Sequence, residues 1–220
     1  MRIISGKHRS RPLQSPPEGS PARPMPDMVK EALFNLLRGH FDDVGVLDLF
    51  AGNGGVGLEA ISRGARECVF VEKNRVNAHV IQDNINALRE DEACRVVVGD
   101  ALGGSIVAQA PRPLHLVFMD PPYDMMTQGM SRRRILDQAS RLIQILDDDG
   151  YLVLRTPWPM LNADKTDIAL KVENAEGPET HIYGGMAIHL YAKAGVPHED
   201  EKSPVAYVED EDEIAGEDAS

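Results

Sequence analysis

The fold of this chain is decided by Val46-Leu47-Asp48-Leu49-Phe50-Ala51-Gly52-Asn53-Gly54-Gly55-Val56-Gly57. The stretch begins as a short apolar run of the kind that forms a buried strand, and its glycines mark a tight turn into a helix. Similar apolar runs and helical patterns alternate as far as about residue 155. This alternation of all-apolar strands with helices predicts an α/β domain with a mostly parallel sheet covered on both faces.

The pattern predicts seven strands, at 44–50, 67–72, 94–98, 114–119, 150–155, 167–173 and 181–192. The helices expected between and before them cover about 27–38, 55–63, 75–89, 102–109 and 131–146. Ahead of the first helix, 2–13 suggest short strands and the proline-rich 14–26 an extended loop. Only a loop around Glu176-Gly177-Pro178 separates the last two strands, so we expect an antiparallel pair that closes the sheet.

Charge is unevenly distributed along the 220 residues, whose formal net charge is −12. Residues 199–220 carry ten acids against the single base Lys202, a net charge of −9, whereas 1–40 carry seven bases against three acids, a net charge of +4. We therefore expect a basic N-terminal arm and helix at 1–40 that contacts a polyanion, a catalytic domain at 41–194, and a disordered acidic tail at 195–220.

Composition also indicates the cellular compartment and the kinds of partner to expect. No apolar run reaches the ~18 residues that span a bilayer, and the N-terminus lacks the apolar core of a secretory signal. Cys68 and Cys94 begin strand-like runs and are expected to be buried free thiols, which suits a reducing cytoplasm. The seven histidines show no metal-ligand spacing. We expect a cytoplasmic monomer with no metal and no membrane partner.

The glycine loop leaves two classes of ligand open. Gly52, Gly54 and Gly57 match the G-x-G-x-x-G fingerprint, so a nucleotide-dependent dehydrogenase is one reading. Asp48 argues against a diphosphate at this loop and favours a ligand with an ammonium group. S-adenosylmethionine carries an ammonium and a carboxylate, and loop amides at a helix N-terminus suit the carboxylate. The alternative role for Asp48 is an acid that caps the helix or ties the loop.

Acids end four successive strands of the predicted sheet: Asp48, Glu72, Asp100 and Asp120. Ligands of open α/β sheets bind outside this carboxyl edge. Glu72 would hold ribose hydroxyls, Asp100 would accept from the adenine amine, and the amide of Ala101 would donate to a ring nitrogen. The series therefore predicts one cleft for S-adenosylmethionine.

The last of these acids opens Asp120-Pro121-Pro122-Tyr123, which follows the apolar run 114–119. The amino group of a planar base is a poor nucleophile because its lone pair is delocalised into the ring. A carboxylate and a backbone carbonyl that accept its N–H bonds shift electron density back to the nitrogen, and Tyr123 offers a face for stacking. The stretch predicts methyl transfer to an exocyclic amine, although a proline-rich turn with a capping Asp is the alternative.

Together these stretches resemble the bacterial 16S rRNA guanine-N2 methyltransferases, the small-subunit rRNA methyltransferase D type. The resemblance covers about 2–192 and implies a Rossmann-like, class I S-adenosylmethionine-dependent fold. It rests on Arg2-Ile3-Ile4-Ser5-Gly6-Lys7, Arg9, Arg23-Pro24, Asp27, Glu31-Ala32-Leu33-Phe34-Asn35, the Asp48 loop, Glu72-Lys73-Asn74, Gly99-Asp100-Ala101 and Asp120-Pro121-Pro122-Tyr123.

The resemblance also implies roles for individual residues, with small-subunit rRNA in an assembling 30S particle as the substrate. The target guanine would be held by Asp120, Pro121, Pro122 and Tyr123. RNA would be contacted by Lys7, Arg9, Arg11, Arg23 and Lys30. The cofactor would be held by Asp48, Phe50, Gly52, Asn53, Gly54, Glu72, Lys73, Asp100 and Ala101.

Four positions depart from the family pattern: Met25-Pro26 replaces a Thr-Thr-like pair, Lys30 stands where Arg is usual, and Arg155 stands where an acid is usual. Two other functions stay open. A DNA adenine-N6 methyltransferase would use the same tetrapeptide, but 124–130 is too short for a target-recognition insertion. A cofactor-binding RNA assembly factor without catalysis is the second, and the intact Asp120 and Tyr123 argue against it.

Overall fold

The computed structural model describes 1–15, 25–162, 165–196 and 205–207. These residues form one mixed sheet in the order β3-β2-β1-β4-β5-β7-β6-β8. The strands are β1 (Gly45–Leu49), β2 (Glu67–Glu72), β3 (Cys94–Val98), β4 (Leu114–Met119), β5 (Leu146–Pro157), β6 (Ala175–Tyr183), β7 (Met186–Lys193) and β8 (Val205–Tyr207). The helices are α1 (Asp27–Leu36), α2 (Gly55–Ser62), α3 (Arg75–Leu88), α4 (Ile106–Gln109), α5 (Tyr123–Thr127) and α6 (Gly129–Ile143).

The predicted α/β class is confirmed, with a mostly parallel sheet and an antiparallel C-terminal pair. From β1 the chain moves outward through β2 to β3, then returns to place β4 and β5 on the other side of β1. All these neighbours pair in parallel. The strand order therefore reverses between β1 and β4, the point at which open α/β sheets bind ligands.

The two C-terminal strands pair antiparallel as predicted, but the first of them and the turn lie at other residues than predicted. Strands β6 and β7 are antiparallel, and Gly184-Gly185 turns between them. The Gly177-Pro178 step, predicted as the connecting loop, lies inside β6 at a register irregularity between Glu176 and Glu179. Such an irregularity accommodates a proline, which has no amide to donate to the ladder. The predicted strand at 167–173 is instead irregular chain with one bridge, Leu161↔Asp167.

Other boundaries differ by a few residues. The helix predicted at 102–109 is shorter than expected: it is reduced to the four residues of α4, because turns occupy most of 100–105. Pro26 rather than Asp27 precedes the first helical residue, and Asp27 lies in the first turn. The short strands expected in 2–13 reduce to one bridge, Arg2↔Pro12. Of the predicted acidic tail, 197–204 and 208–220 lie outside the described residues, so its disorder stays a prediction.

Two apolar cores cover the two faces of the sheet. The first joins alternate strand residues such as Val46, Phe70 and Phe118 to the N-terminal segment, α1, α2 and α3. The second joins the intervening residues, such as Leu47 and Met119, to α4 and α6. Among the described residues there is no helix with the length and apolarity needed to cross a membrane.

Residues 1–15 are packed against the domain rather than extended from it. Ile3 is fully buried and Leu13 nearly so, and both belong to the first core together with Leu33 and Phe34 of α1. The N-terminal segment is therefore part of the fold, and deleting it would open the core.

A buried carboxylate fastens this segment. Oε2 of Glu59 in α2 accepts the amide of Ile4 at 2.7 Å, and Oε1 accepts the amide of Ser5 at 2.9 Å. The same side chain pairs with Lys30 Nζ at 3.4 Å and Arg63 Nε at 3.0 Å, and the side chains of Glu59 and Lys30 are fully buried. One side chain thus connects the N-terminal segment, α1 and α2.

Glu59→Ala should lower the free energy of unfolding by about 3–5 kcal/mol, because Lys30 is left as a buried charge without its carboxylate. Lys30→Met should cost less, about 1–2 kcal/mol, because Glu59 keeps Arg63 and two amides. Urea unfolding of both variants measures the difference. Equal losses in the two variants would contradict this account.

Candidate active site at the carboxyl edge of the sheet

Three of the predicted acids converge at the switch point. Asp48, Glu72 and Asp120 follow Val46, Phe70 and Phe118 by two residues, so strand alternation directs them to the face of the first core. In the sheet register Asp48 pairs with Phe70 of β2 and with Phe118 of β4, so Glu72 and Asp120 follow two residues further along the strands on either side of it. The structure therefore brings these acids into one region.

Asp48 is a buried acid whose pKa is raised. It is 2% exposed, and its Oδ2 accepts the amide of Gly57 in α2 at 2.9 Å. Burial raises its pKa to about 7, although the hydrogen bond from Gly57 opposes the shift. The alternative role from the sequence, an acid that ties the loop, is thus seen here, while the contact with an ammonium group stays a prediction.

The glycine loop is shaped by Glu72 and leaves open space. Oε2 of Glu72 accepts the amide of Gly52 at 2.9 Å, and Oε1 accepts the amide of Asn74 at 2.7 Å. Gly52 has a φ of +59°, and a Cβ added there would meet nothing within 4 Å. A Cβ on Gly57 would lie 2.4 Å from the ring of Phe70. The first glycine thus borders free volume, and the third lets α2 approach β2.

The Asn53 side chain has partners within the protein, and its contact with the cofactor stays a prediction. Its side chain is almost fully buried, and Nδ2 donates to the carbonyl of Gln14 at 3.1 Å. Its Oδ1 accepts the amide of Gly55 at 3.3 Å. The side chain therefore secures the N-terminal segment to the loop. Phe50, half-buried with a φ of +59°, and the exposed Lys73 directly follow β1 and β2, and their contacts with the cofactor stay predictions.

Asp100 and Ala101 lie just beyond β3. Oδ1 of Asp100 accepts the amide of Leu102 at 3.0 Å, and Oδ2 lies 3.7 Å from Arg134 of α6. The Asp100 side chain is partly exposed, whereas Ala101 is buried. Asp100 is therefore open to a ligand at the same edge of the sheet, and its contact with adenine stays a prediction.

The Asp120–Tyr123 stretch leads from β4 into α5. Asp120 follows the last residue of β4, and burial raises its pKa to about 6 although Arg155 lowers it. Pro121 is buried and Pro122 exposed, and Tyr123 begins α5 with a half-buried ring. Neither proline has an amide to compete for the Asp120 carboxylate.

Arg155 is the site residue that sequence reasoning missed, since it was noted only as a departure from the family pattern. Its Nε donates to Asp120 Oδ1 at 2.6 Å, and its guanidinium carbon lies 5.5 Å from the centre of the Tyr123 ring. The available signal was position: Arg155 follows the apolar run 152–154 within β5, as Asp120 follows the apolar run of β4.

The bases predicted to contact RNA do not lie beside the acids. Lys7, Arg9 and Arg11 are exposed at the tip of the N-terminal segment, near the C-terminal ends of α2 and α3. The eight residues of α2 separate this tip from the glycine loop by about 12 Å. Arg23 lies outside the described residues. A cleft of about 350 Å³ at the tip is lined by His8, Arg11, Ala87, Leu88 and Arg89.

The prediction that Lys30 contacts RNA is wrong. Its side chain is fully buried, with Nζ donating to the carbonyl of Arg2 at 2.8 Å and pairing with Glu59. Burial also lowers the pKa of Lys30. A positive charge on an amphipathic helix is usually on its surface, and no local pattern around Lys30 indicates the buried carboxylate of Glu59 that pairs with it.

One cluster at the opposite edge of the sheet bears on the predicted absence of a metal. His115 Nδ1 lies 2.8 Å from Asp147 and 3.7 Å from Asp149, and ligand atoms of all three lie within 4.8 Å of one another. The histidine also contacts His40 at 3.1 Å through Nε2. Ion pairing accounts for this geometry, and the absence of a metal stays a prediction.

Known proteins similar to this chain share its length and fold. The family model described as Conserved hypothetical protein 95 matches 1–191. YlbH of Bacillus subtilis is 35% identical over 197 residues, which cover 89% of this chain and 100% of YlbH. The ribosomal RNA small subunit methyltransferase D of Escherichia coli is 38% identical over 152 residues, 69% of each chain. The structure of yhhF from Escherichia coli superposes with a TM-score of 0.67 at 30% identity, over 88% of this chain and 97% of that one.

The two buried acids should titrate far above ordinary aspartates. We expect carboxyl-carbon NMR of ¹³C-labelled protein to show midpoints near pH 7 for Asp48 and near pH 6 for Asp120. Because both pKa values are raised, each carboxyl is charged above its midpoint and neutral below it. Asp48→Asn and Asp120→Asn assign the signals. Midpoints near pH 4 would show that the site is more hydrated than its geometry indicates.

Proposed function

The chain belongs to the small-subunit rRNA methyltransferase D family, and we propose that it transfers a methyl group from S-adenosylmethionine to N2 of a guanine in small-subunit rRNA. The observation that carries this proposal is that Asp48 and Asp120 lie at the carboxyl ends of the neighbouring parallel strands β1 and β4, on the same face of the sheet at its switch point. Asp48 would face the cofactor, and Asp120 would face the target guanine.

The residues of the edge fit S-adenosylmethionine. Open space over Gly52 admits the methionine part, and the N-terminus of α2 favours its carboxylate. Asp48, when ionised, favours its ammonium group. Glu72 carboxylate oxygens retain lone pairs for ribose hydroxyls beyond those used by Gly52 and Asn74. Asp100 remains partly exposed for the adenine amine.

Asp120 and the groups around it would make N2 of the target guanine a better nucleophile. S-adenosylmethionine supplies a methyl group on a sulfonium sulfur, which becomes a neutral thioether when nitrogen takes that methyl. The Asp120 carboxylate and the Pro121 carbonyl accept the two N–H bonds of N2, and Tyr123 stacks on the extruded base. The methylated nitrogen then loses one proton, for which the Asp120 carboxylate is the nearest acceptor before solvent. Holding both reactants in place accounts for about 7–11 kcal/mol of barrier reduction.

RNA approaches from the side of the N-terminal segment. Exposed Lys7, Arg9 and Arg11 form a basic tip, and Arg89 joins them around the nearby cleft. Such groups bind phosphates without reading sequence. In this proposal the tip binds RNA of an assembling 30S particle while the target base lies beside Asp120 at the carboxyl edge of the sheet. The protein acts in the cytoplasm as a monomer.

The other two functions are less well supported. A DNA adenine enzyme would use the same tetrapeptide, but only α5 and one connecting residue stand between Pro122 and α6, too little chain for a target-recognition element. A non-catalytic assembly factor would not need Asp120 held by Arg155 beside the Tyr123 ring at this edge of the sheet. The family membership also favours the enzyme.

The assay for this proposal is methyl transfer to 16S rRNA, naked and in 30S particles, with duplex DNA as the competing substrate. Mass mapping should find N2-methylguanosine. Asp120→Asn should slow the reaction by about 10²–10³-fold because a charged acceptor is lost from a buried site, while the affinity for S-adenosylmethionine changes little.

Two results would overturn the proposal. Methyl transfer to adenine in DNA but not to rRNA would favour the DNA enzyme. Full turnover by Asp120→Asn would remove the carboxylate from the mechanism. Asp124→Asn is the matched control, since Asp124 is exposed in α5, and it should retain activity.

Substitution of the tip bases tests the RNA surface without opening the core. Lys7→Gln, Arg9→Gln and Arg11→Gln combined should weaken RNA binding and reduce the slope of log K against log salt by roughly 0.7–0.9 for each lost phosphate contact. Filter binding across a salt series measures the slope. Arg66→Gln, an exposed base at the start of β2, is the control, and an unchanged slope in the triple variant would exclude the tip as the RNA surface.

A further inference from the structure

The sheet register places an arginine beside the proposed catalytic acid. Strands β4 and β5 pair in parallel up to Met119↔Leu154, so the next step of the ladder sets Asp120 beside Arg155. Residues level with each other on neighbouring strands direct their side chains to the same face, about 4.8 Å apart. The contact therefore follows from the backbone.

The contact uses one oxygen of the acid and one nitrogen of the base. Nε of Arg155 donates to Oδ1 of Asp120 at 2.6 Å, and the two side chains are 9% and 20% exposed. The guanidinium also lies 5.5 Å from the centre of the Tyr123 ring. Arg155 is thus held by two of the groups that would surround the target base, on a strand that packs between β4 and β7.

We propose that Arg155 is a positioning residue that fixes Asp120 as a carboxylate in one orientation, with Oδ2 directed to the amine of the target base. This inference rests on the proposed function. A charge-assisted bond to Oδ1 removes the rotation that would exchange the two oxygens. The same guanidinium packs near the Tyr123 ring, which limits the space into which the base can stack.

The charges around Asp120 show why the arginine is needed. The acid is faced by Asp48 from β1, Tyr123 from α5 and Arg155 from β5. Burial raises the pKa of Asp120 to about 6, and the charge and hydrogen bond of Arg155 lower it. An opposite charge at this distance favours the ionised form of a carboxyl, so loss of Arg155 should raise the pKa of Asp120 further and increase its protonated fraction at neutral pH.

The test compares Arg155→Gln, Arg155→Lys and the control Arg66→Gln, which removes a guanidinium from an exposed ion pair with Glu67. For each protein, kcat and KM for RNA are measured from pH 5 to 9, with the affinity for S-adenosylmethionine and the melting temperature. Carboxyl NMR of the RNA-free proteins measures the Asp120 midpoint directly.

In Arg155→Gln we expect the acid limb of kcat to move up by about one pH unit or more. We also expect kcat at pH 7 to fall about tenfold or more, because orientation is lost as well. Arg155→Lys should return the acid limb of kcat to its wild-type pH but restore only part of the kcat value, since an ammonium lacks the fixed Nε geometry. Cofactor affinity should stay within about threefold, because the cofactor is assigned to other residues.

An acid limb that stays in place in Arg155→Gln would overturn the proposal, even if stability fell. So would an unchanged kcat at pH 7. If the wild-type protein methylates no RNA, the proposed function fails, yet the NMR midpoint still decides whether Arg155 controls the ionisation of Asp120. The two failures are therefore distinguishable.

Discussion

The parallel ladder of β1, β4 and β5 is the constraint on which the candidate site depends. Strand alternation fixes the face to which Asp48, Asp120 and Arg155 point, and register fixes their level along the sheet. A shift of one residue in β4 would send Asp120 to the second core and leave Arg155 as an uncompensated buried charge. The apolar residues of these strands thus position the polar ones.

Burial gives the edge its chemical character. Two aspartates with pKa values near 7 and 6 lie where parallel strands end, in contact with loop amides and one guanidinium. A carboxylate in such surroundings has fixed partners in place of water, so it needs little rearrangement when a ligand's charge or amine arrives. The energetic cost of burying these acids is offset by the two apolar cores that enclose them.

Sequence reasoning predicted the parts of the structure that local pattern controls. The five parallel strands, the glycine turn and the series of strand-end acids follow from short-range rules and are found, whereas the strand predicted at 167–173 is not. The errors involve partners distant in the chain. Burial of Lys30 depends on Glu59, and Gly177-Pro178 lies in β6 because the pairing of β6 with β7 has an irregular register there. Nothing near these residues in sequence reports those contacts.

The placement of Lys7, Arg9 and Arg11 has a consequence for substrate choice. The basic tip stands about 12 Å from the glycine loop, the length of α2. With a rise of roughly 3.4 Å per stacked nucleotide, a strand needs at least three or four residues to bridge that gap. If the tip binds phosphates as proposed, free nucleosides and dinucleotides would be too short to reach from the tip to the carboxyl edge of the sheet, and only a longer polymer would gain the binding energy of both.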